Sequence, residues 1–220
     1  MRVLDVGSGT GRIASRLSES PLHVVALEPS GGMVEQLRTK APRLPVVLGD
    51  GELLPFQDRC FDAVVIARLL YLTVNWRRIV RESSRVLRNG GRLLHEWGNG
   101  ADDEMWVRIR EKARSLFEAA GIDAPFHPGA RSEVAVDDHL VSIGFTRETA
   151  LSLGRGPSIT AREFIRRIES GEFSYVWNVP MDVRQTCLPQ LQAWAEQTLD
   201  MDREMPMPRD IRWTIYRRPD

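Results

Sequence analysis

The chain alternates short, continuously apolar runs with stretches in which apolar residues recur every three or four positions. Val3, Leu4 and Val6 open it as a buried strand, and Ile13, Ala14 and Leu17 follow at helical spacing within 11–20 until Pro21 breaks the pattern. His23-Val24-Val25-Ala26-Leu27-Glu28 is a second apolar run that ends on an acid. Pro29-Ser30 then supplies a break and an N-cap for a helix carrying Met33, Val34 and Leu37. Residues 45–48 and 61–67 read as a third and a fourth strand. From 75 to 87, Trp76, Ile79, Val80, Ser83, Val86 and Leu87 keep helical spacing; Asn89-Gly90-Gly91 is expected to stop that helix before a fifth strand over 92–97.

Beyond Trp97 the spacing predicts helices over 102–120 and 134–143 and near 161–170 and 183–199. A weakly alternating strand is expected over 146–153 and a strictly alternating one over 211–217. Met205-Pro206-Met207-Pro208 reads as a stiff linker. More than fifty residues separate the last two strands, too many for plain loop, so a helical cap folded over the ligand edge is expected over 154–210. Apolar strands alternating with helices predict an α/β fold, doubly wound and Rossmann-like. Its sheet should be mainly parallel and seven-stranded, with an antiparallel last strand and a helical cap insertion. In such sheets ligands bind beyond the carboxyl ends of the strands, where the loops after Val6, Leu27, Leu48, Ile66 and Leu94 gather.

Composition narrows the partners. A length of 220 residues suits one well-buried domain. Thirty basic and thirty acidic residues cancel, so no electrostatic footprint for nucleic acid or an anionic membrane is present. All the basic residues except Lys40 and Lys112 are arginines, interspersed with acids throughout. Cys60 and Cys187 stand in neither a metal-binding spacing nor a disulfide framework. No apolar run approaches the ~20 residues of a membrane span, and Asp5 and the glycines interrupt any signal-peptide core. A cytoplasmic protein without a metal centre is expected, acting on a small molecule, with its oligomeric state left open.

The chemistry concentrates in Asp5-Val6-Gly7-Ser8-Gly9-Thr10-Gly11, where a strand runs into a glycine-rich turn and then a helix. Glycines there let the backbone approach a bulky ligand. A dinucleotide fingerprint would put its third glycine at position 12, which is Arg12, and this disfavours a nicotinamide enzyme. The register Gly7, Gly9, Gly11 preceded by Asp5 instead resembles motif I of the class I S-adenosylmethionine-dependent methyltransferases, of the type 11 kind. Phe61-Asp62-Ala63-Val64-Val65 is similar to that family's fourth strand. Residues 85–93 resemble its helix-to-strand turn, with Asn89 where proline is usual, and the resemblance covers about residues 2–97.

The resemblance implies S-adenosyl-L-methionine as cofactor and S-adenosyl-L-homocysteine as product. It makes 1–98 the cofactor-binding half of a single domain, with 99–153 and 211–220 completing the sheet and its helices. Asp5, Gly7, Ser8, Gly9 and Gly11 would form the cradle. Glu28, with Pro29 and Met33 beside it, would accept the ribose hydroxyls; Asp50, with Gly51 and Glu52, would meet the adenine amino group; Ala67 and Arg68 would flank the methionine end. Methyl transfer would proceed by in-line attack on the sulfonium methyl, with His95, then Tyr71, as the group to take a proton where one must leave. Trp76 and Trp106 read as helix core, and Tyr175-Val176-Trp177 as a wall near the cap. The resemblance also implies a helical segment ahead of the glycine turn; here the turn lies within the first ten residues, so either the start is truncated or misassigned or that cover comes from elsewhere. The rival expectation is a non-catalytic or partner-dependent protein that binds S-adenosylmethionine.

Overall fold

The computed structural model describes residues 1–97, 104–122, 129–153, 158–206 and 211–220. In chain order its strands are β1 (Arg2–Val6), β2 (His23–Glu28), β3 (Val46–Leu48), β4 (Phe61–Ala67), β5 (Leu87–Glu96), β6 (Thr146–Leu153), β7 (Ser158–Ile159), β8 (Met205–Pro206) and β9 (Ile211–Arg217). The α-helices are α1 (Ala14–Leu17), α2 (Gly31–Lys40), α3 (Trp76–Val86), α4 (Glu104–Ala119), α5 (Glu133–Ser142), α6 (Ala161–Glu169) and α7 (Met181–Thr198). Two compact units result. One comprises Met1–Gly98, Gly129–Ser152 and Arg212–Asp220, and the other Asn99–Pro128 and Leu153–Ile211.

The first unit is a seven-stranded sheet in the order β3-β2-β1-β4-β5-β9-β6. β1 pairs in parallel with β2 and β4, β2 with β3, and β4 with β5, whereas β9 runs antiparallel to β5. The strands from β1 onward therefore go first one way and then the other, leaving a crevice between the carboxyl ends of β1 and β4. Continuous apolar runs are needed because both sheet faces are covered. Leu4, Val6, Leu27, Val64, Ile66 and Leu93 pack on α3 and α5 through Trp76, Ile79, Val136 and Leu140. On the other face Val3, Val24, Ala26, Ala63 and Val65 pack with Ala14 of α1 and Leu37 of α2.

The second unit buries Trp106, Ile109 and Phe117 of α4 against Phe164 and Ile168 of α6 and Leu188 and Leu191 of α7. Trp106 lies 4.5 Å from Phe164, centroid to centroid, and its indole N–H donates to the Pro206 carbonyl at 3.0 Å. The Thr160 hydroxyl caps α6 by accepting from the Glu163 amide at 3.2 Å.

The architecture differs from the sequence expectations in four places. The helix expected over 11–20 contracts to α1, because the chain passes Gly11 at φ +83° and only then does the Ala14 amide find the Asp5 carboxylate, at 3.1 Å. Asn89-Gly90-Gly91 does not stop α3: the helix ends at Val86, Leu87 is extended and already pairs with Phe61, and the glycines sit in a register shift inside β5. Met205-Pro206 is no linker, since it pairs antiparallel with Ser158–Ile159; Met207 and Pro208 lie outside the described residues. Finally α4, expected with the sheet, packs in the helical unit because its Trp106, Ile109 and Phe117 stripe is matched by α6 and α7. Its expected first residues, Asp102 and Asp103, lie outside the described residues.

The loop after β4 is pinned by the Gly129 amide on the Tyr71 carbonyl at 3.0 Å and the Ala130 amide on the Leu70 carbonyl at 2.9 Å. A Cβ on Gly129 would meet backbone, the Leu70 carbonyl and, at 2.6 Å, that of Thr73. At Gly11 the obstacle is the end of the Leu37 side chain, which can swing aside, together with the positive φ. Gly129→Ala is therefore expected to cost about 3 kcal/mol or more and Gly11→Ala about 2 kcal/mol. Urea unfolding of the two variants checks the order, and a costlier Gly11→Ala contradicts it.

Candidate functional site

The site grows from the turn after β1. The Gly7 and Ser8 amides both donate to the Leu27 carbonyl, at 2.9 and 3.0 Å, which bends the chain sharply over the end of β2. Gly7, Gly9 and Gly11 all take positive φ, a conformation that L side chains resist. A Cβ on Gly7 would come within 2.9 Å of Leu69, whereas at Gly9 the nearest atom is the Met33 sulfur at 4.0 Å. Gly9 thus faces open space. The Ser8 hydroxyl oxygen is buried and has no hydrogen-bond partner among the described residues.

Glu28, 5% exposed, ends β2 and organises what surrounds it. One carboxylate oxygen accepts from the Gly9 amide at 2.9 Å and the other from the Ser30 amide at 3.0 Å. Pro29 between them is exposed, and the Ser30 hydroxyl caps α2 by accepting from the Met33 amide at 3.5 Å. Each carboxylate oxygen keeps a second lone pair for a ligand hydroxyl. The Gly49 amide reaches back to the Glu28 carbonyl at 3.1 Å and brings the loop after β3 alongside. There Gly51 is buried against Val6, and Asp50 is exposed with one oxygen accepting from the Glu52 amide at 2.8 Å. Glu52 accepts from the Asn75 side-chain amide at 3.0 Å and, through its carbonyl, from Arg78 at 3.0 Å.

Strand alternation puts Asp5, Glu28 and Glu96 on one sheet face, that of α1. Asp5 is 1% exposed, and burial pushes its carboxyl up to about 7 against the Ala14 amide and the Arg12 guanidinium, with Glu28 and Glu96 adding to the rise. Arg12 reaches the carboxylate of Glu96 at 2.7 Å. Neither Arg12 nor Glu96 was singled out as a site residue from sequence, although Glu96 closes an apolar strand on an acid just as Glu28 does.

On the far side of the crevice Ala67 stands opposite Glu96, and the Arg68 amide donates to the Glu96 carbonyl at 2.9 Å, with Arg68 at φ 55°. Its guanidinium Nε lies 3.4 Å from the Tyr71 hydroxyl, directed to the opposite sheet face. That face carries an aromatic wall: the Tyr71 and Trp97 rings stand edge to face at 5.7 Å, and His95 and Trp97 at 6.0 Å. His95 is 1% exposed between Ile66 and Thr214, its Nδ1 is without a hydrogen-bond partner among the described residues, and burial lowers its pKa to about 4. The sequence-derived cradle residues therefore gather at the carboxyl ends of β1 and β2. Asp50, Gly51 and Glu52 follow on the next strand end, and Tyr71 and His95 form a separate wall. Trp76 and Trp106 are core, as expected; in the second unit Tyr175 is buried and stacked on Phe173, while Trp177 is exposed.

Residues 4–95 match the family described as a methyltransferase domain. Over that stretch the chain resembles a methyltransferase domain. Its relatives include a Mycobacterium tuberculosis protein named uncharacterized methyltransferase Rv3342, 41% identical over 107 residues, which are 49% of this chain and 44% of that protein. A demethylmenaquinone methyltransferase of Renibacterium salmoninarum is 38% identical over 93 residues, 42% of this chain and 39% of that one. The chain thus spans less than half the length of the curated relatives it matches. Among solved structures, a candidate methyltransferase from Bacillus halodurans superposes with a TM-score of 0.68 at 18% identity, covering 100% of this chain and 93% of that one. That likeness shows the fold alone, seven-stranded and Rossmann-like.

Two buried groups give the first unit opposite pH slopes. Asp5 holds its proton in the folded state up to about 7, while the unfolded chain releases it near 3.8, so stability falls as pH rises across that window. His95 resists protonation down to about 4 while the unfolded chain protonates near 6.5, so stability falls as pH drops from 6.5. Asp5→Asn is expected to abolish the first slope and His95→Gln the second. Urea midpoints between about pH 4 and pH 8 check both, and wild-type slopes in either variant contradict the assignment.

Proposed function

We propose that the chain is an S-adenosylmethionine-dependent methyltransferase acting on a small-molecule acceptor. The observation that carries the reading is the buried Glu28 carboxylate on the Gly9 and Ser30 amides, beside a glycine whose missing side chain leaves open space. The unpartnered Ser8 hydroxyl in the same turn fits a polar ligand there. Glu28 would hold the ribose hydroxyls and Asp50 the adenine amino group; Asp5 and the glycines, with Met33 and Gly51, would line the cradle. The cofactor supplies the electrophilic sulfonium methyl. The protein's own residues then orient the acceptor for in-line attack and exclude water.

A relative named for demethylmenaquinone supports a small-molecule acceptor, as does the balanced charge. Among the described residues no helix is long and apolar enough to cross a membrane. Burial keeps the His95 imidazole neutral, with Nδ1 available, so we assign it to accept a hydrogen bond or a proton from the acceptor group, with Tyr71 on the same wall.

Calorimetric titration with S-adenosylmethionine and S-adenosylhomocysteine tests the reading. Glu28→Ala is expected to weaken binding by about 1–3 kcal/mol and Asp50→Ala by the same order, the cost of lost hydrogen bonds to a charged group. Glu28→Gln, which keeps one carbonyl acceptor, should lose less. A wild-type protein that binds neither compound defeats the proposal, and one that binds NAD instead replaces it.

A further inference from the structure

Resting on that reading, we infer that Arg12 is the ligand for the carboxylate of the cofactor's amino-acid end, and that Glu96 is the positioning residue that aims it. Arg12 follows the last loop glycine. Its side chain spans from the end of β1 to the end of β5, where its NH2 nitrogen meets Glu96 at 2.7 Å. Because β4 lies between those strands, the guanidinium extends across the crevice at which the strand order reverses.

The two partners differ in burial, and the difference assigns their roles. The Glu96 side chain is 1% exposed and the Arg12 side chain 48%. The carboxylate is thus a fixed internal anchor, and the arginine side chain it holds stays half open to a ligand. An arginine offers five N–H donors in a planar fork. With the NH2 edge occupied by Glu96, the remaining donors suit a second carboxylate, approached in the plane of the fork.

Charge gives the direction. Glu28 and Glu96 make this strand edge acidic, and a ligand bearing a carboxylate is tolerated only where a cation offsets it. Arg12 supplies that cation on the β4–β5 side, whereas Glu28 faces the β2 side. A ligand with hydroxyls at one end and an amino-acid carboxylate at the other therefore lies across β2, β1 and β4 in one orientation. Arg68, the other arginine expected at the methionine end, directs its Nε to the Tyr71 hydroxyl at 3.4 Å.

The test compares S-adenosylhomocysteine with 5′-methylthioadenosine, which keeps the adenosine and sulfur but lacks the amino-acid end. In wild-type protein S-adenosylhomocysteine is expected to bind at least about thirtyfold more tightly than 5′-methylthioadenosine. Arg12→Ala should weaken S-adenosylhomocysteine by about tenfold to a hundredfold and leave 5′-methylthioadenosine unchanged, which also reports that the variant is folded. Arg12→Lys should recover part of the loss, and Glu96→Gln should narrow the ratio less than Arg12→Ala does. Arg68→Ala should preserve the ratio. If Arg12→Ala weakens both compounds equally, the ion pair only ties the loop to β5 and the inference falls. It falls too if Arg68→Ala alone collapses the ratio. Should wild-type protein bind neither compound, the cofactor reading itself fails and takes this one with it; binding both equally overturns only this one. Should Arg12→Ala lose its cooperative urea transition, the double variant Arg12→Ala/Glu96→Gln, which removes the orphaned buried charge, decides by the same ratio.

Discussion

The bond between the Gly9 amide and the Glu28 carboxylate is the constraint on which the first unit depends. A carboxylate 5% exposed is tolerable only if donors replace the water it has lost, and the donors are two backbone amides, one after β1 and one after β2. To place the Gly9 amide there the chain must turn through three positive-φ positions in succession, which only glycine adopts cheaply. The same carboxylate fixes the Ser30 amide and hence the first turn of α2, whose Leu37 fills the space beside Gly11. Turn, strand end and helix start are therefore one interdependent arrangement.

The sheet separates two chemistries across its thickness. Alternation along β5 sends Glu96 to the face with Asp5 and Arg12, and His95 to the face with Tyr71 and Trp97. One face is thus charged and hydrogen-bonded at its edge, the other aromatic and apolar. Burial acts alike on both faces, raising the pKa of Asp5 on β1 and lowering that of His95 on β5, because loss of water disfavours the charged form of each.

How much of this was legible depends on whether the cause was local. The apolar runs 61–67 and 211–217 became strands within those limits, because burial of a strand is written in its own residues. Glu28 was legible for the same reason, as an acid closing such a run. The brevity of α1 was not, since it follows from a carboxylate nine residues upstream capturing the Ala14 amide. The pairing of Met205–Pro206 with Ser158–Ile159 was hidden because two residues carry no period. The membership of α4 in the helical unit was hidden because an amphipathic stripe states that it needs a partner, not which one. Arg12 and Glu96 lie 84 residues apart, and nothing in either segment announces the other.

The slot that β9 occupies bears on how the chain assembles. β9 lies between β5 and β6, so the strand made earlier, Thr146–Leu153, has no neighbour in the sheet until Ile211–Arg217 has been synthesised. During that interval β5 presents an unpaired edge. The sheet therefore closes last one place in from its rim, and loss of that seven-residue strand would leave β6 without a neighbour. Ribosome pausing between these segments would lengthen the time for which that gap stays open to another chain.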